Sequence, residues 1–261
     1  MTLPDARFPD LLEQVVRIAR RAGDAILEVY AGEHGTRTKA DDSLVTDADH
    51  RAEAIIVPAL QALAPGVTVV AEEACAAHGM PAACDEFWLV DPLDGTREFV
   101  GRNGEFTVNI ALVQHGVPVL GVVLAPALDR LFAGARGVGA WAEEGGRRRP
   151  LAVRAAPVDG LVVVGSRSHG DAAALERYLA GRRIADVRPA GSSLKFCLVA
   201  AGEADVYPRL GRTMEWDIAA GHAVLAAAGG RVERLDGTPM TYGKPGFENP
   251  HFAAWGCTDG R

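Results

Sequence analysis

Two aspartates stand three residues apart at the end of an apolar run, in the segment WLVDPLDGTREF. Asp91 and Asp94 directly follow the apolar residues Trp88 to Val90. Pro92 holds its own φ at about −65°, and Gly95 permits a tight turn of the backbone. The segment therefore predicts a rigid corner that carries two carboxylates, although a plain turn built from Asp, Pro and Gly explains the same residues.

Other acidic side chains occur in comparable contexts. Glu72 and Glu73 follow a predicted strand, and Asp217 stands at the start of a predicted helix. Asp49 comes three residues after Thr46, which is the spacing of a capping box with Asp in place of Glu. Taken singly, each has a structural explanation: a solvated strand end for the glutamates, and a capping or first-turn acid for the aspartates.

The acids as a set predict a metal site. Strand ends and helix starts lie on the rim of an α/β layer, where sites are built. Clustered carboxylates raise one another's pKa unless a cation neutralises them, and hard divalent cations prefer oxygen ligands. The carbonyl oxygen of Leu93 and the hydroxyl of Thr96 are further oxygens in the same segment.

Composition limits the classes of function. The chain has 261 residues, of which 48% are hydrophobic and 23% charged, as in an ordinary globular protein with a large core. Its formal net charge of −7 does not suit a broad basic surface for nucleic acid. A small anionic substrate is compatible with this charge, because a local site need not share the global sign. We therefore predict a small-molecule partner and no nucleic acid.

The sequence shows no targeting signal. The segment MTLPDARFPD lacks a basic start followed by an apolar run, and no stretch approaches the about 20 apolar residues of a membrane span. The four cysteines form no CxxC pair. We therefore expect reduced thiols and a cytoplasmic protein. We also expect a monomer or a homodimer. Peripheral contact with the inner face of a membrane stays open.

Periodicity predicts the elements that must position these residues. Helices are predicted over residues 8–30, 46–64, 171–180, 193–201 and 216–228. Strands are predicted over residues 67–71, 87–90, 106–113, 117–124, 161–164, 184–188 and 252–255, with further short strands between 130 and 153. Residues 75–86 are rich in alanine and short side chains and are predicted to form a loop.

The two parts of the chain differ in pattern. Strand and helix alternate after residue 157, which argues for an α/β half. We predict an N-terminal α+β half at 1–155 that carries the metal loop. A C-terminal α/β half at 156–261 would carry substrate-binding segments.

Four segments together resemble the inositol monophosphatase superfamily of metal-dependent, lithium-sensitive phosphatases: LVTDADHRAE, AEEA, VDPLDGTREF and EWDIAAGHAVLAAAGG. The resemblance implies an α+β fold with layers in the order αβαβα, as in sugar phosphatases. It also implies two or three Mg²⁺ ions at the junction of the halves, and inhibition by Li⁺.

The resemblance assigns roles to individual residues. It matches Glu72, Asp91, Asp94, Asp217 and the carbonyl of Leu93 to the Mg²⁺ ligands. It matches Asp49 to an acid near a third, looser metal position, and Thr96 to a hydroxyl that works with Glu72 to activate water. Lys39 matches a lysine near the metal loop. Asp47 is an extra acid where relatives have a small residue; it is either a solvated neighbour or a perturbation of the third metal position.

Later segments resemble a particular branch, the 3′(2′),5′-bisphosphate nucleotidases of the CysQ type: RNGEFTVNIAL, VGSRSHGD and AGSSLKFCLVAAGEADVYPRLG. That branch implies hydrolysis of the 3′-phosphate of adenosine 3′,5′-bisphosphate (PAP), which gives AMP and phosphate. Such an enzyme would clear PAP as a by-product of sulfate assimilation. The sulfated relative PAPS is a second candidate substrate.

A bisphosphate needs a second anion site, and two segments are candidates. Gly191, Ser192, Ser193 and Lys195 stand at a predicted helix start, where free N–H groups favour phosphate. A plain N-cap explains each serine equally well. Ser166, Arg167, Ser168 and the weaker candidate His169 follow a predicted strand. The remaining candidates for substrate contact are Gly95, Thr96, Tyr207, Arg209 and Asp217, with Tyr207 equally consistent with the core.

Three alternatives stay open at this point. Inositol monophosphatases and histidinol-phosphate phosphatases share the metal motifs, so the acids do not separate them from a nucleotidase. A regulatory or RNA-associated protein on the same fold is the alternative of another class. The complete set of acids and the negative net charge argue against it.

Overall fold

The computed structural model describes residues 2–32, 36–38, 44–82, 84–155, 157–166 and 172–256. Within these ranges the helices are α1 (Phe8–Ala31), α2 (Asp47–Leu63), α3 (Glu72–His78), α4 (Thr96–Val100), α5 (Ala172–Leu179), α6 (Leu194–Ala200) and α7 (Glu215–Ala227). None of them combines the length and the apolar character that a membrane crossing requires.

The strands of the described ranges form three sheets. They are β1 (Thr36–Thr38), β2 (Leu44–Thr46), β3 (Thr68–Ala71), β4 (Glu86–Asp94), β5 (Thr107–Gln114), β6 (Val117–Ala125), β7 (Arg130–Ala135), β8 (Gly139–Glu144), β9 (Arg147–Leu151), β10 (Leu161–Ser166), β11 (Ile184–Ala190), β12 (Val206–Arg209), β13 (Arg231–Arg234) and β14 (Phe252–Trp255). Strands β1 and β2 form a small antiparallel pair.

The two large sheets use successive parts of the chain. The seven-stranded sheet has the order β3-β4-β5-β6-β7-β8-β9, and all its pairs except β3–β4 are antiparallel. The five-stranded sheet has the order β11-β10-β12-β14-β13, with β10 parallel to both of its neighbours. The hairpin predicted around QHG is β5–β6.

The helices complete five layers in the order αβαβα, which confirms the predicted fold class. Helices α1 and α2 cover one face of the seven-stranded sheet through a core that includes Phe8 and Trp88. Helices α6 and α7 lie between the sheets, in a core that joins Phe87 to Phe196. Helix α5 covers the outer face of the five-stranded sheet, where Trp255 is buried.

Helix α7 lies in the middle layer and is therefore buried on nearly all sides. Glycines permit the close approach of α7 to β6 and to α6. A Cβ built on Gly121 of β6 would overlap the carbonyl oxygen of Ala220, and a Cβ on Gly221 would lie 2.7 Å from Phe196. Helix α7, and with it Asp217, therefore packs closely against β6 and α6.

The prediction of a loop over residues 75–86 is wrong for its first four residues, which belong to α3. Alanine is the strongest helix former, and Glu72 and Glu73 in the first turn favour the helix N-terminus. Gly79, with φ of 86°, ends the helix. A helix of seven residues is too short to show a clear apolar periodicity.

Candidate active site

The segment with two aspartates is the irregular end of β4. The pairing of β4 with β5 shifts between Asp91 and Asp94, so the strand bulges there instead of turning. The N–H of Leu93 donates to Asp91 Oδ1 at 3.0 Å. Gly95 then takes a left-handed conformation with φ of 91°, and α4 begins at Thr96. The bulge and the glycine thus direct the two carboxylates.

Three carboxylates from distant parts of the chain converge at this place. One oxygen from each of Glu72, Asp91 and Asp217 lies within 4.8 Å of the others. Glu72 begins α3, Asp91 ends the regular part of β4, and Asp217 is the third residue of α7. Asp217 Oδ2 also accepts the N–H of Met214 at 2.8 Å, which fixes its side chain at the helix start.

Burial and mutual repulsion perturb these acids. Desolvation raises the pKa of Asp91 well above its ordinary value, and the charges of Glu72, Asp94 and Asp217 raise it further. The pKa of Asp217 is raised for the same reasons, with burial as the largest cause. The site therefore holds more negative charge than its protein surroundings neutralise.

Asp94 lies beside this group without joining the close triad. Burial raises the pKa of Asp94, while the nearby charge of Lys195 lowers it. Asn109 Nδ2 lies 3.5 Å from Asp94 Oδ2 and 3.0 Å from Ser193 Oγ. Asn109 therefore bridges β4 and the segment before α6.

An open cavity of about 300 Å³ contains these acids. Its wall is made by both halves of the chain: Glu72, Asp91, Leu93, Asp94, Gly95, Thr96, Arg97, Glu98, Ser166, Ser192, Ser193, Lys195, Phe196, Tyr207, Arg209, Arg212, Thr213, Asp217 and Ile218. The acids occupy one part of the wall, and four cationic side chains line the same space. The cavity can thus hold metal and anion together.

Asp49 forms the capping box that its spacing indicated. Its Oδ2 accepts the N–H of Thr46 at 2.8 Å and the Thr46 hydroxyl at 2.7 Å. It is buried, and its charge contributes to the raised pKa of Asp91, but it is not one of the three converging carboxylates. Asp47 is exposed, and Lys39 lies outside the described residues.

The segment Gly191 to Ser193 uses its polar groups within the protein. The N–H of Gly191 donates to Glu105 Oε2 at 2.8 Å. The Ser192 hydroxyl donates to the carbonyl of Asp94, and the Ser193 hydroxyl donates to the carbonyl of Asp217 at 2.6 Å. These groups therefore join the segment to the metal-site elements, and Ser193 does not cap α6 with its side chain.

Lys195 is buried beneath the same segment. Its Nζ donates to the carbonyls of Ser192 at 2.6 Å and Ala190 at 3.2 Å, and lies 5.2 Å from the centre of the Tyr207 ring. Desolvation lowers the pKa of Lys195 to about 8, although the charge of Asp94 opposes this. The ammonium group thus stabilises the backbone turn at residues 190–193 by binding two of its carbonyl oxygens.

The other predicted substrate contacts divide into three groups. Ser166, the last residue of β10, and Arg209 of β12 line the cavity. Tyr207 also lines it but is 3% exposed and packs edge-on against Phe196. Arg167, Ser168 and His169 lie outside the described residues.

Sequence reasoning missed several polar residues of the site. Asn109, Glu105 and Arg212 were not predicted as site residues, although Glu105 and Asn109 both stand in the segment RNGEFTVNIAL. A polar residue in the middle of a buried strand was the available signal for Asn109. For Glu105 and Arg212 the signal lay in three-dimensional contacts alone.

The donors fit a hard divalent cation. Three carboxylates converge from separate elements, Leu93 lines the same cavity, and the raised pKa values of Asp91 and Asp217 show uncompensated charge. Oxygen ligands of this kind are the ones that Mg²⁺ takes in proteins.

Comparisons with known proteins agree with this geometry. The family model described as "Inositol monophosphatase family" matches residues 10–257. A 3′(2′),5′-bisphosphate nucleotidase CysQ of Escherichia coli (strain K12) is 49% identical over 245 residues, which cover 93% of this chain and 98% of that protein. The corresponding protein of Haemophilus influenzae is 32% identical and covers 94% of this chain and 93% of its own.

Solved structures show the same architecture. The crystal structure of CysQ from Bacteroides thetaiotaomicron aligns with a TM-score of 0.81 at 36% identity, covering 98% of this chain and all of that one. An inositol monophosphatase from Anabaena (Nostoc) sp. PCC 7120 aligns with a TM-score of 0.74 at 28% identity, covering 95% of this chain and 91% of that one.

Proposed function

The chain belongs to the inositol monophosphatase family, and from this premise we propose that it is a 3′(2′),5′-bisphosphate nucleotidase. The reaction is hydrolysis of the 3′-phosphate of PAP, which gives AMP and phosphate, with PAPS as a second substrate. The observation that carries the proposal is the 49% identity with proteins of that activity over 93% of the chain.

Four acidic residues and one backbone carbonyl would hold the metal. Glu72, Asp91 and Asp217 converge, with Asp94 and the carbonyl of Leu93 as further oxygens in the same cavity. We propose two Mg²⁺ ions there and a third, looser position near Asp49. Bound Mg²⁺ supplies a water of lowered pKa and neutralises charge on the phosphate.

The chain's own side chains position the attacking water in this proposal. Glu72 and Thr96 stand at the starts of α3 and α4 and line the same cavity. Glu72 would accept the water's proton, and the Thr96 hydroxyl would orient its oxygen, as general-base catalysis requires. No covalent intermediate with the protein is needed.

The cations of the cavity favour a substrate with two phosphates. Arg97, Lys195, Arg209 and Arg212 line the cavity beside the acids. A planar guanidinium group donates bidentate hydrogen bonds to two oxygens of a phosphate. The 5′-phosphate of PAP would give Arg97 and Arg209 an acceptor. Lys195 already donates to two carbonyls, and Arg212 pairs with Glu248 at 3.4 Å.

A substrate panel tests the proposal. Phosphate release is measured for PAP, PAPS, inositol 1-phosphate and histidinol phosphate, with Mg²⁺ and with EDTA. We expect PAP to have the highest kcat/KM and EDTA to abolish release. Asp94→Asn should lower kcat/KM about 100-fold or more, while Asp47→Asn, at an exposed neighbouring acid, should retain wild-type activity.

Each alternative has its own outcome in this panel. A clear preference for inositol 1-phosphate or histidinol phosphate would replace the nucleotidase with the corresponding phosphatase. Equal release by wild type and Asp94→Asn would reject the two-metal assignment, and absence of release from every substrate would favour a regulatory or RNA-associated role.

The proposed setting is the cytoplasm, with the protein as a monomer or homodimer. Cys75, Cys84 and Cys197 carry free thiols, which is the state expected in a reducing compartment. Inhibition by Li⁺ is part of the proposal and is read in the same assay at fixed Mg²⁺.

A further inference from the structure

A second cavity of about 280 Å³ lies at the edge of the five-stranded sheet. Its wall contains Tyr178 of α5, Arg182 from the turn that follows, Arg231 and Arg234 of β13, and Trp255 of β14. We call this space the arginine cavity. It shares no lining residue with the cavity that holds the carboxylates.

The arginine cavity lies on the outer face of the five-stranded sheet. Trp255 packs with Leu161 and α5 on that face, whereas its neighbour Ala254 packs with Phe196 on the inner face. Successive side chains of a strand point to opposite faces. Phe196 lines the cavity that holds the carboxylates. The five-stranded sheet therefore separates that cavity from the arginine cavity.

Aromatic rings hold the guanidinium groups in place. The Arg182 guanidinium lies 5.1 Å from the centre of the Tyr178 ring and 5.5 Å from that of Trp255. Arg231 lies 5.7 Å from the Trp255 ring. Arg182 Nη1 also donates to the carbonyl of Tyr178 at 2.7 Å. Stacked guanidiniums keep their in-plane donors available and lose little freedom on binding.

Two buried donors at this place have no hydrogen-bond partner among the described residues. They are the Nε atoms of Arg182 and Arg234. Buried donors are almost always satisfied, which indicates that an acceptor enters the cavity.

The charges of the cavity favour an anion. Glu233 pairs with Arg231 at 3.2 Å, and Asp236 Oδ1 accepts from both the N–H and the hydroxyl of Thr238. Within the described part of the chain, no carboxylate forms an ion pair with Arg182 or Arg234. Two guanidiniums thus remain for a ligand.

We propose that the arginine cavity binds a phosphate or sulfate group, as the free ion or as the end of a small ester. Tetrahedral oxyanions accept bidentate hydrogen bonds from guanidinium groups. The cavity is larger than one such ion, so an ester fits as well. The site is distinct from the proposed catalytic function and does not depend on it.

Calorimetric titration tests the proposal on the full chain in EDTA and low-salt chloride buffer. Inorganic phosphate, sulfate and AMP are the probes. We expect saturable binding, weakened about tenfold or more by Arg182→Gln and by Arg234→Gln. Arg177→Gln, an exposed arginine on α5, is the matched control and should bind as wild type does.

Two further arms locate the bound anion and identify its source. Arg209→Gln, at the cavity that holds the carboxylates, should leave the Arg182-dependent binding of phosphate and sulfate unchanged; a loss of that binding in Arg209→Gln, with Arg234→Gln unaffected, overturns the proposal. Absence of saturable binding up to about 20 mM also overturns it. Tighter Arg182-dependent binding of AMP than of phosphate identifies an ester ligand, and the reverse identifies the free ion. If Arg182→Gln fails to fold, Arg234→Gln and Arg234→Lys keep the test decisive.

Discussion

The Ser192 hydroxyl donates a hydrogen bond of 2.8 Å to the backbone carbonyl oxygen of Asp94, across 98 positions of the sequence. This bond joins the segment before α6 to the end of β4. The close approach depends on Gly95, because a Cβ at that position would overlap Ser192 Oγ. The geometry around the carboxylates therefore depends on a contact between two distant segments of the chain.

Gly95→Ala should cost both stability and activity. The substitution adds the steric overlap with Ser192 to the strain of an alanine at φ of 91°, and we expect a loss of about 2–4 kcal/mol in the free energy of unfolding. Gly66→Ala is the matched control, because Gly66 has the same φ with nothing within 4 Å. Urea denaturation of both variants measures the steric part as their difference.

The double variant Gly95→Ala, Ser192→Ala separates overlap from strain. Removing the Ser192 hydroxyl removes the overlapping atom and keeps a side chain at its φ of 47°, so the double variant should be more stable than Gly95→Ala alone. A double variant that is less stable than the single one would show that the lost hydrogen bond outweighs the overlap.

Asp91→Asn should stabilise the metal-free protein while abolishing activity. The folded-state pKa of Asp91 is raised by burial and by neighbouring acids, so its charged form costs stability at neutral pH. An amide removes that charge and keeps the oxygen that accepts from Leu93. In EDTA we expect a gain of about 1–2 kcal/mol in the free energy of unfolding at pH 7.

The response to Mg²⁺ completes this test. Because a ligand of the folded state raises the melting temperature, wild type should gain stability with Mg²⁺, and Asp91→Asn should gain much less. Asp47→Asn is the control and should respond as wild type does. A wild-type melting temperature that does not move with Mg²⁺ would reject metal binding at the acids.

Lys195→Met should strengthen the affinity for Mg²⁺. The positive charge of Lys195 lowers the pKa of Asp94, and the same potential opposes a cation bound by that carboxylate. We expect the Mg²⁺ concentration for half-maximal rate to fall about threefold or more. Lys195→Arg retains the charge and should show a smaller fall. A rise in both variants would assign the effect to the backbone turn that Lys195 holds.

His222 should make the protein less stable in mild acid. Burial lowers the folded-state pKa of His222 from 6.5 to about 3, so the unfolded chain binds an additional proton below pH 6.5. Stability therefore falls as the pH falls, and this one residue contributes a loss of about 2 kcal/mol between pH 7.5 and pH 5. Urea denaturation at both values measures it.

The comparison is between His222→Gln and wild type. The variant should lose about 2 kcal/mol less than wild type over that pH interval, whatever its stability at pH 7.5. His50→Gln, at an exposed position on α2, is the control and should follow wild type. An unchanged pH dependence in His222→Gln would contradict burial of a neutral imidazole beside Tyr242.

Much of the architecture could be predicted because local patterns determine it. The apolar spacing predicted residues 8–30 as a helix, and α1 spans Phe8–Ala31. The hairpin around QHG was predicted as well. The convergence of Glu72, Asp91 and Asp217 was expected from the acids as a set and from the family resemblance, and not from a local pattern.

Other features could not be predicted because they depend on contacts between distant segments. Helix α3 depends on its position in the fold for stability, because its seven residues are too few to show an apolar periodicity. The partners of Gly191, Ser192 and Ser193 lie at Glu105, Asp94 and Asp217, so the sequence did not reveal that their polar groups are already used.

The middle position of α7 has a consequence for synthesis on the ribosome. Until residue 227 has left the exit tunnel, the seven-stranded sheet emerges with one apolar face bare, including Phe87 and Phe132. Asp217 belongs to α7 and therefore reaches its place only when that helix docks. The nascent protein therefore exposes this apolar surface for as long as it lacks Asp217 as a proposed metal ligand. The docking of α7 ends both conditions at once.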